Sequence, residues 1–423
     1  MRVLVLAYAC EPSGGGEPEV GWRWAQSISR QGHEVTVITR SNNRDSIEGA
    51  LRLPGHGDVR YEYVDLPAPV RRLKRRLGQV GVLGYSWMWQ FSAAARAWRL
   101  RSQEKFDVYH HVTFCNDSLF SGLALAVPGD AQFLWGPVGG ASHQWPNEFE
   151  RPGDRRALWF ERTRSFMQSA LSRVDPFLWR TRSRADLILP YTVEAVEGLP
   201  ERYRQKSVPT YHIGIDASAV ASSPSHSGPS TEANSLLVAT GGRLVAWKGF
   251  DVVIEAIARA RSLGVPVRLV VFGSGPFRAY LDSLVTRLDV GSFVDFLGRV
   301  PAHEDVLDTV RNADLFAQPT LRDGPPVALL EAMSVGTAVL CYRQGASGEL
   351  VSEDCGFLID RTDREDAVTQ IVHVLQEIAG DRELIRIAAQ NALERVRDSW
   401  TWDALDERVA HIYGRIESVS VEK

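Results

Sequence analysis

The sequence predicts an α/β protein built from two doubly wound parallel-sheet domains. Three observations carry that expectation. The chain has 423 residues, more than one hydrophobic core usually serves. Short apolar runs alternate with helical stretches in two successive series. Between the series, residues 217–235 are rich in Ser, Pro and Gly and have no apolar period, which reads as a linker. The domains are then 1–216 and 236–395, with 396–423 a C-terminal helix packing back on the first domain.

Taken in order, Val3–Tyr8 reads as the first strand, followed by a helix near Val20–Gln31. Strands follow at Glu34–Thr39, Tyr61–Val64, Asp107–His111, Gln132–Trp135 and Leu187–Pro190. After the linker the rhythm returns with Leu236–Ala239, Val267–Phe272, Val294–Phe296, Leu315–Gln318, Ala338–Cys341 and Phe357–Ile359. Asp251–Arg261 carries apolar Val252, Ile254, Ala256, Ile257 and Ala260 and reads as a helix. From about Asp381 to Glu417 the repeating apolar faces predict helices.

Composition removes several function classes. Hydrophobic content of 44% and charged content of 24% are ordinary for a soluble domain, and no apolar run approaches the ~20 residues of a membrane span. Val3–Ala9 is short for a secretory signal and reads as a strand. Cys10, Cys115, Cys341 and Cys355 are far apart, which suits a reducing cytoplasm and argues against structural zinc. Net charge is -4, yet residues 1–220 sum to +5 and residues 221–423 to -9. A basic half suggests an anionic partner such as a membrane surface or a phosphorylated acceptor; local Arg clusters alone do not make a nucleic-acid binder.

The chemistry is concentrated after the linker. Gly242-Arg243-Leu244-Val245-Ala246-Trp247-Lys248-Gly249 sets two cations five positions apart in a glycine-bounded loop after a strand, where open α/β sheets bind ligands. Gly273-Ser274-Gly275-Pro276 opens a second glycine turn after the next strand. Following Leu315–Gln318, Asp323 falls in a loop and Glu331 in a helix whose first turn accommodates Pro326. A carboxylate can accept from vicinal hydroxyls through both oxygens. Cations, glycine turns and acids in that order suggest one ligand with phosphates and sugar rings.

Residues 241–360 resemble the nucleotide-sugar-binding domain of family 4 retaining glycosyltransferases, of the GT-B fold with two Rossmann-like domains facing a cleft. The resemblance rests on Gly242-Arg243-Leu244 with Lys248-Gly249, on Gly273-Ser274-Gly275-Pro276, on Val294-Asp295-Phe296-Leu297-Gly298, and on an acid-x7-Glu loop running into Glu331-Ala332-Met333. Gly214-Ile215-Asp216 and Gly32-His33-Glu34-Val35 are similar to the end and the opening of that family's first domain. The resemblance implies that Arg243 and Lys248 hold a donor diphosphate, that Glu331 binds the ribose and that Asp323 and Gly324 address the donor sugar. Gly242, Gly273, Gly275 and Leu297 border the same donor. The family usually has Glu where Asp323 stands and Phe-Gly where Pro325-Pro326 stand. Asp is shorter by roughly 1.5 Å, and two prolines remove two backbone donors.

In the first domain, Gly14-Gly15-Gly16 could let backbone amides meet the leaving phosphate or the acceptor, or be a plain loop. His110 and His111 close a strand; the family commonly has His at the first position, so His110 is the preferred contact to donor or acceptor, and a structural His is the alternative. Gly139 and Gly140, in Trp135-Gly136-Pro137-Val138-Gly139-Gly140, border the acceptor or serve a turn.

Two segments interrupt the α/β rhythm. Residues 70–105 hold Arg71, Arg72, Lys74, Arg75 and Arg76 before Tyr85, Trp87, Trp89, Phe91 and Trp98; residues 151–184 hold nine Arg among Trp159, Phe160, Phe166, Phe177 and Trp179. Cations beside large aromatics suit an interfacial helix, and core aromatics beside solvated Arg fit the same pattern.

The expected activity is transfer of a sugar from a nucleotide diphosphate sugar to a saccharide or lipid-linked hydroxyl, in surface polysaccharide or glycolipid synthesis. It needs no metal and no cofactor besides the donor, and takes place in the cytoplasm or on the inner face of the cell membrane. Nucleotide-sugar epimerisation and noncatalytic sugar-nucleotide binding are the rival readings. A nicotinamide dehydrogenase is disfavoured because no Gly-x-Gly-x-x-Gly follows the first strand.

Overall fold

Runs of Val, Leu and Ile bounded by turn residues form twelve parallel strands, in a computed structural model that describes residues 1–12, 14–139, 163, 174–224, 235–321 and 326–421. The chain divides into two units, crossing from the first to the second between Ile213 and Gly214 and returning between Trp402 and Asp403.

The first unit contains β1 (Arg2–Ala7), β2 (Glu34–Arg40), β3 (Val59–Val64), β4 (Val108–Thr113), β5 (Gln132–Val138) and β6 (Leu187–Pro190). They lie in the order β3-β2-β1-β4-β5-β6. Every residue of β4 is buried, as expected where helices cover both faces of a parallel sheet. This strand runs on past His111 to Thr113, so the two histidines are interior to it, which corrects the expectation that they end it. The first helix begins at Gly16 and ends at Arg30, so Gly16 is helical and the loop is shorter than the glycine run implied.

The last helix, Trp402–Val421, buries Leu405, Val409, Ile412, Tyr413 and Ile416. Within the first unit, Arg30 pairs with Asp406 at 2.7 Å and the Gln132 side-chain amide donates to Ile416 O at 3.3 Å. Trp24, Trp89 and Trp135 are among the fully buried side chains, and such large rings contribute heavily to core stability.

The second unit contains β7 (Leu236–Gly241), β8 (Val267–Phe272), β9 (Val294–Gly298), β10 (Leu315–Ala317), β11 (Ala338–Tyr342) and β12 (Phe357–Ile359). Their order, β12-β11-β10-β7-β8-β9, repeats the topology of the first sheet. Successive connections run outward from β7 on one side and from β10 on the other. The carboxyl ends of β7 and β10 therefore flank the point where the winding reverses, the crevice where open α/β sheets receive ligands. Helix Phe250–Ser262 buries Val252, Val253, Ile254, Ala256, Ile257 and Ala260. Its fully buried Asp251 pairs with Arg364, which also reaches Glu255 at 2.8 Å. A buried carboxylate left without that guanidinium would be strongly destabilising.

Beside the crossings, Ile215 and Thr401 form a parallel bridge. Ile215 N–H donates to Trp400 O at 2.9 Å and Trp402 N–H donates to Ile215 O at 3.0 Å.

Candidate functional site

Four strand ends of the second unit are bound to one another by backbone groups. After β7, Gly242 N–H donates to Phe272 O at 3.1 Å and Leu244 N–H to Ser274 O at 3.0 Å, while Phe277 N–H donates back to Leu244 O at 3.1 Å. The loops that carry Arg243 and Gly273 are thus laced together. Gly273 N–H donates to Gly298 O at 2.6 Å, which ties in the end of β9. Glycine is required here by space: a Cβ at Gly273 would lie 1.8 Å from Gly242 O, and one at Gly275 would lie 2.2 Å from Leu244 O.

The loop after β10 joins from the other side. Leu321 N–H donates to Trp247 O at 2.8 Å, and the Gln318 side-chain amide donates to Gly241 O at 3.1 Å. Gly249 adopts the left-handed region at φ 74° and sits against Pro319, whose carbonyl oxygen would be 2.1 Å from any Cβ there. Only a residue without a Cβ can turn the chain at that point and start the next helix.

Lys248 ends the short 3-10 turn Ala246–Lys248. Its Nζ is 3.6 Å from where a Cβ of Gly242 would be, so the ammonium folds back over the start of its own loop. It also acts on Glu331. That carboxyl is three-quarters buried, and burial raises its pKa while His303 and Lys248 oppose the rise. His303 Nε2 stands 3.7 Å from Glu331 Oε1. The helix Val327–Ser334 buries Leu329, Leu330, Ala332 and Met333 and leaves Glu331 at its edge. Arg243 is exposed in the same loop as Lys248, and Leu297 is half exposed on β9. Asp323 and Gly324, with Arg322 and Pro325, lie outside the described residues.

The structure thus folds Lys248 over Gly242, sets it near enough to Glu331 to act on its charge, and fixes Gly273 and Gly275 against the same loop. His303 was missed by sequence reasoning. It opens the helix His303–Arg311, where its position beside two acids reads only as a helix start. A separate pocket is lined by Gly249, Val252, Pro319, Leu321, Tyr342 and Arg361–Arg364. It shares Gly249 with the loop but contains none of Arg243, Lys248 and Glu331, and its Arg364 is already neutralised by Asp251 and Glu255. Glu331, with His303 at 3.7 Å and Lys248 near enough to act on its charge, marks the candidate site, rather than that hollow.

The first unit presents different chemistry. His110 is fully buried, with Nε2 2.8 Å from Gly136 O and Nδ1 3.0 Å from Tyr413 Oη. A carbonyl only accepts, so Nε2 carries the proton and, in the neutral ring, Nδ1 accepts from the tyrosine hydroxyl. Burial lowers the His110 pKa to about 4. Both ring nitrogens are engaged inside the unit, which gives His110 a structural role here and leaves no nitrogen for a substrate. His111 Nε2 bonds Thr113 O at 3.0 Å, its Nδ1 has no partner among the described residues, and burial lowers its pKa to about 3. Gly14 and Gly15 are exposed before the helix at Gly16. There Glu17 accepts from the Phe114 N–H, and burial raises its carboxyl pKa. Gly139 packs on Tyr191, whose ring would be 2.7 Å from a Cβ; Gly140 lies outside the described residues.

Residues 226–392 match the family of glycosyl transferases group 1. The chain is 26% identical over 254 residues to the putative colanic acid biosynthesis glycosyltransferase WcaL of Escherichia coli K12, covering 58% of this chain and 60% of WcaL. It is 32% identical over 187 residues to a GDP-mannose-dependent alpha-(1-6)-phosphatidylinositol monomannoside mannosyltransferase of Mycolicibacterium smegmatis, covering 42% and 47% of the two chains. The chain therefore spans 60% or less of the length of these curated relatives. Among solved structures, Anabaena HepE in complex with UDP aligns with a TM-score of 0.64 at 17% identity, over 98% of this chain and 100% of HepE. The chain has the GT-B fold, and the part of it that matches the group 1 glycosyltransferases is residues 226–392.

Proposed function

We propose that this protein transfers a sugar from a nucleoside diphosphate sugar to a hydroxyl acceptor, with retention at the anomeric carbon, in the synthesis of a surface polysaccharide or glycolipid. The observation that carries the reading is the placement of Lys248 close enough to Glu331 to oppose its pKa rise, at the reversal point of the second sheet. An ammonium suits a diphosphate and a carboxylate suits a ribose diol. HepE has been crystallised with UDP and with UDP-glucose, and the matched family and relatives are glycosyltransferases.

In the proposed reaction the acceptor oxygen bonds to the anomeric carbon as the bond from that carbon to the diphosphate oxygen breaks. Both events occur on one face of the sugar, and the acceptor proton passes to the departing phosphate. Negative charge grows on the diphosphate, so Arg243 and Lys248 lower the barrier as well as hold the donor. Asp323 and Gly324 address the donor sugar; Gly242, Gly273, Gly275 and Leu297 border it. Gly14–Gly16, His111, Gly139 and Gly140 are the acceptor or phosphate contacts of the first domain. His110 is not among the contacts, because its two ring nitrogens are engaged with Gly136 and Tyr413. No metal or cofactor takes part beyond the donor. The acceptor is a saccharide or a lipid-linked intermediate, and the protein works in the cytoplasm or against the inner membrane face through 70–105 and 151–184. Among the described residues, no helix is long and apolar enough to cross a membrane.

Turnover against a panel of nucleotide sugars, with and without a polyprenyl-linked acceptor, tests the reading. Product with the acceptor's new linkage in the donor's anomeric configuration supports it. Inverted product, an epimerised nucleotide sugar, or binding with no transfer or hydrolysis across the panel would overturn it.

A further inference from the structure

The helix Ala68–Arg101 has two apolar faces where folding calls for one. Tyr85, Trp89, Ala93, Ala97 and Leu100 recur at helical spacing and are buried in the first unit, which satisfies the usual single stripe of a domain helix. Trp89 donates its indole N–H to Val64 O at 2.9 Å. A second row faces solvent: Leu73 is 53% exposed, Trp87 39%, Met88 38% and Trp98 50%, with Gly84 and Ala95 also exposed between them.

Neighbouring structure extends that row. Phe177 of the helix Pro176–Arg184 packs on Phe91 at 5.3 Å and on Trp87 at 6.3 Å, and the adjoining Trp179 is 55% exposed. Exposed apolar side chains gathered on one face, rather than scattered singly, usually mark an interaction site.

Charge identifies the occupant. From Ala68 to Arg101 the helix carries eight Lys and Arg and no Asp or Glu. Arg71, Arg72, Arg76 and Arg99 are exposed; Arg71 is 3.8 Å from Asp65, while Arg72, Arg76 and Arg99 have no ion-pair partner among the described residues. The Arg101 guanidinium lies 3.9 Å from the Trp98 ring centre. Tryptophan at a basic, unpartnered helical face is the chemistry of the headgroup boundary, where rings sit among the upper acyl chains and cations meet lipid phosphates. At 1.5 Å per residue the helix is roughly 50 Å long, which suits lying in the plane of a bilayer.

We propose that the outward face of Ala68–Arg101, through Leu73, Trp87, Met88 and Trp98 with Arg72, Arg76 and Arg99, docks the first unit in the plane of an anionic phospholipid bilayer. This narrows the membrane part of the reading above to one face. Tyr85 and Trp89 belong to the core and take no part.

Cosedimentation tests it with vesicles of phosphatidylcholine alone and of phosphatidylcholine with phosphatidylglycerol. The intact protein binds the anionic vesicles and not the neutral ones. The variant Arg72→Gln/Arg76→Gln/Arg99→Gln binds about tenfold to a hundredfold more weakly, and Trp87→Ser/Met88→Ser/Trp98→Ser loses binding at least about tenfold. Unchanged thermal unfolding and unchanged nucleoside diphosphate binding in solution show that the variants are folded; a variant that fails this check is replaced by the single substitutions Arg76→Gln and Trp87→Ser. Absence of binding to anionic vesicles, equal binding to both vesicle types, or full binding by either triple variant overturns the proposal. So does a self-association that the tryptophan variant abolishes without any vesicle binding, which would give the face to a second copy. Because vesicle binding is read without sugar donor or acceptor, its failure leaves transfer from nucleotide sugars standing, and failure of transfer leaves it standing.

Discussion

The two sheets share one winding order but end differently where that winding reverses. In the first unit the buried strand between β1 and β5 carries His110 and His111, neutral by burial, and His110 is bonded at both ring nitrogens inside the unit. In the second unit the equivalent edge has glycine turns, a folded-back Lys248 and a partly buried Glu331 flanked by His303. Equal topology thus supports opposite electrostatics. The scaffold sets where a ligand would go, and under the proposed function the residues that follow β7 and β10 suit an anion with hydroxyls.

The strongest way to sharpen this contrast is acid. His110, His111 and His212 have folded-state pKa values of about 4, about 3 and about 3, each lowered by burial. Unfolded histidine titrates near ~6.5, so between that pH and the folded values the unfolded chain binds more protons, and stability falls as pH falls. The loss is about 1.4 kcal/mol per histidine per pH unit, or roughly 2 kcal/mol each at pH ~5. In the second unit His303 and His373 are exposed. Hydrogen exchange followed from neutral pH to pH ~5 should therefore show β4 amides losing protection well before β8 amides. Parallel loss in the two strands would show that the buried histidines do not set the acid stability of the first unit.

Next in size is the glycine lacing. Gly273→Ala places a Cβ against Gly242 O at a backbone φ of 111°, and overpacking with backbone strain should cost at least about 2 kcal/mol. Denaturant unfolding checks the cost, and nucleoside diphosphate affinity should fall with it because the Arg243 loop is held by the same backbone. A variant as stable as the parent would mean that the two loops are free to part. The smallest effect belongs to the first unit: Tyr413→Phe removes the donor to His110 Nδ1 and should cost about 1 kcal/mol, with turnover on a nucleotide sugar retained. Lost turnover at full stability would restore His110 to a place in the chemistry.

Much of this was legible in the chain because it is local. Strands such as Val267–Phe272, Leu187–Pro190 and Phe357–Ile359 begin and end where apolar β-branched runs meet turn residues. The Arg243, Lys248 and Glu331 motif order led to the second sheet's reversal point for the same reason. What was not legible depends on distant partners. The bond of His110 to Tyr413 spans 303 positions, and no pattern near either residue announces it. His303 reaches Glu331 only because β9 and β10 return the chain to the same edge, and the backbone donors that tie Gly242, Leu244 and Gly273 together have no side-chain signature. Separating buried Trp89 from exposed Trp87 and Trp98 needed the helix's packing face, which Arg-rich flanks obscure in the sequence.

The central claim, that Lys248 stabilises charge that develops on a departing diphosphate, is tested most directly by comparing turnover and donor affinity in Lys248→Ala. Turnover should fall by about 10²- to 10³-fold, while donor affinity measured by calorimetry weakens by less than about tenfold. Unchanged turnover with only a raised donor requirement would contradict the account and reduce Lys248 to a binding residue.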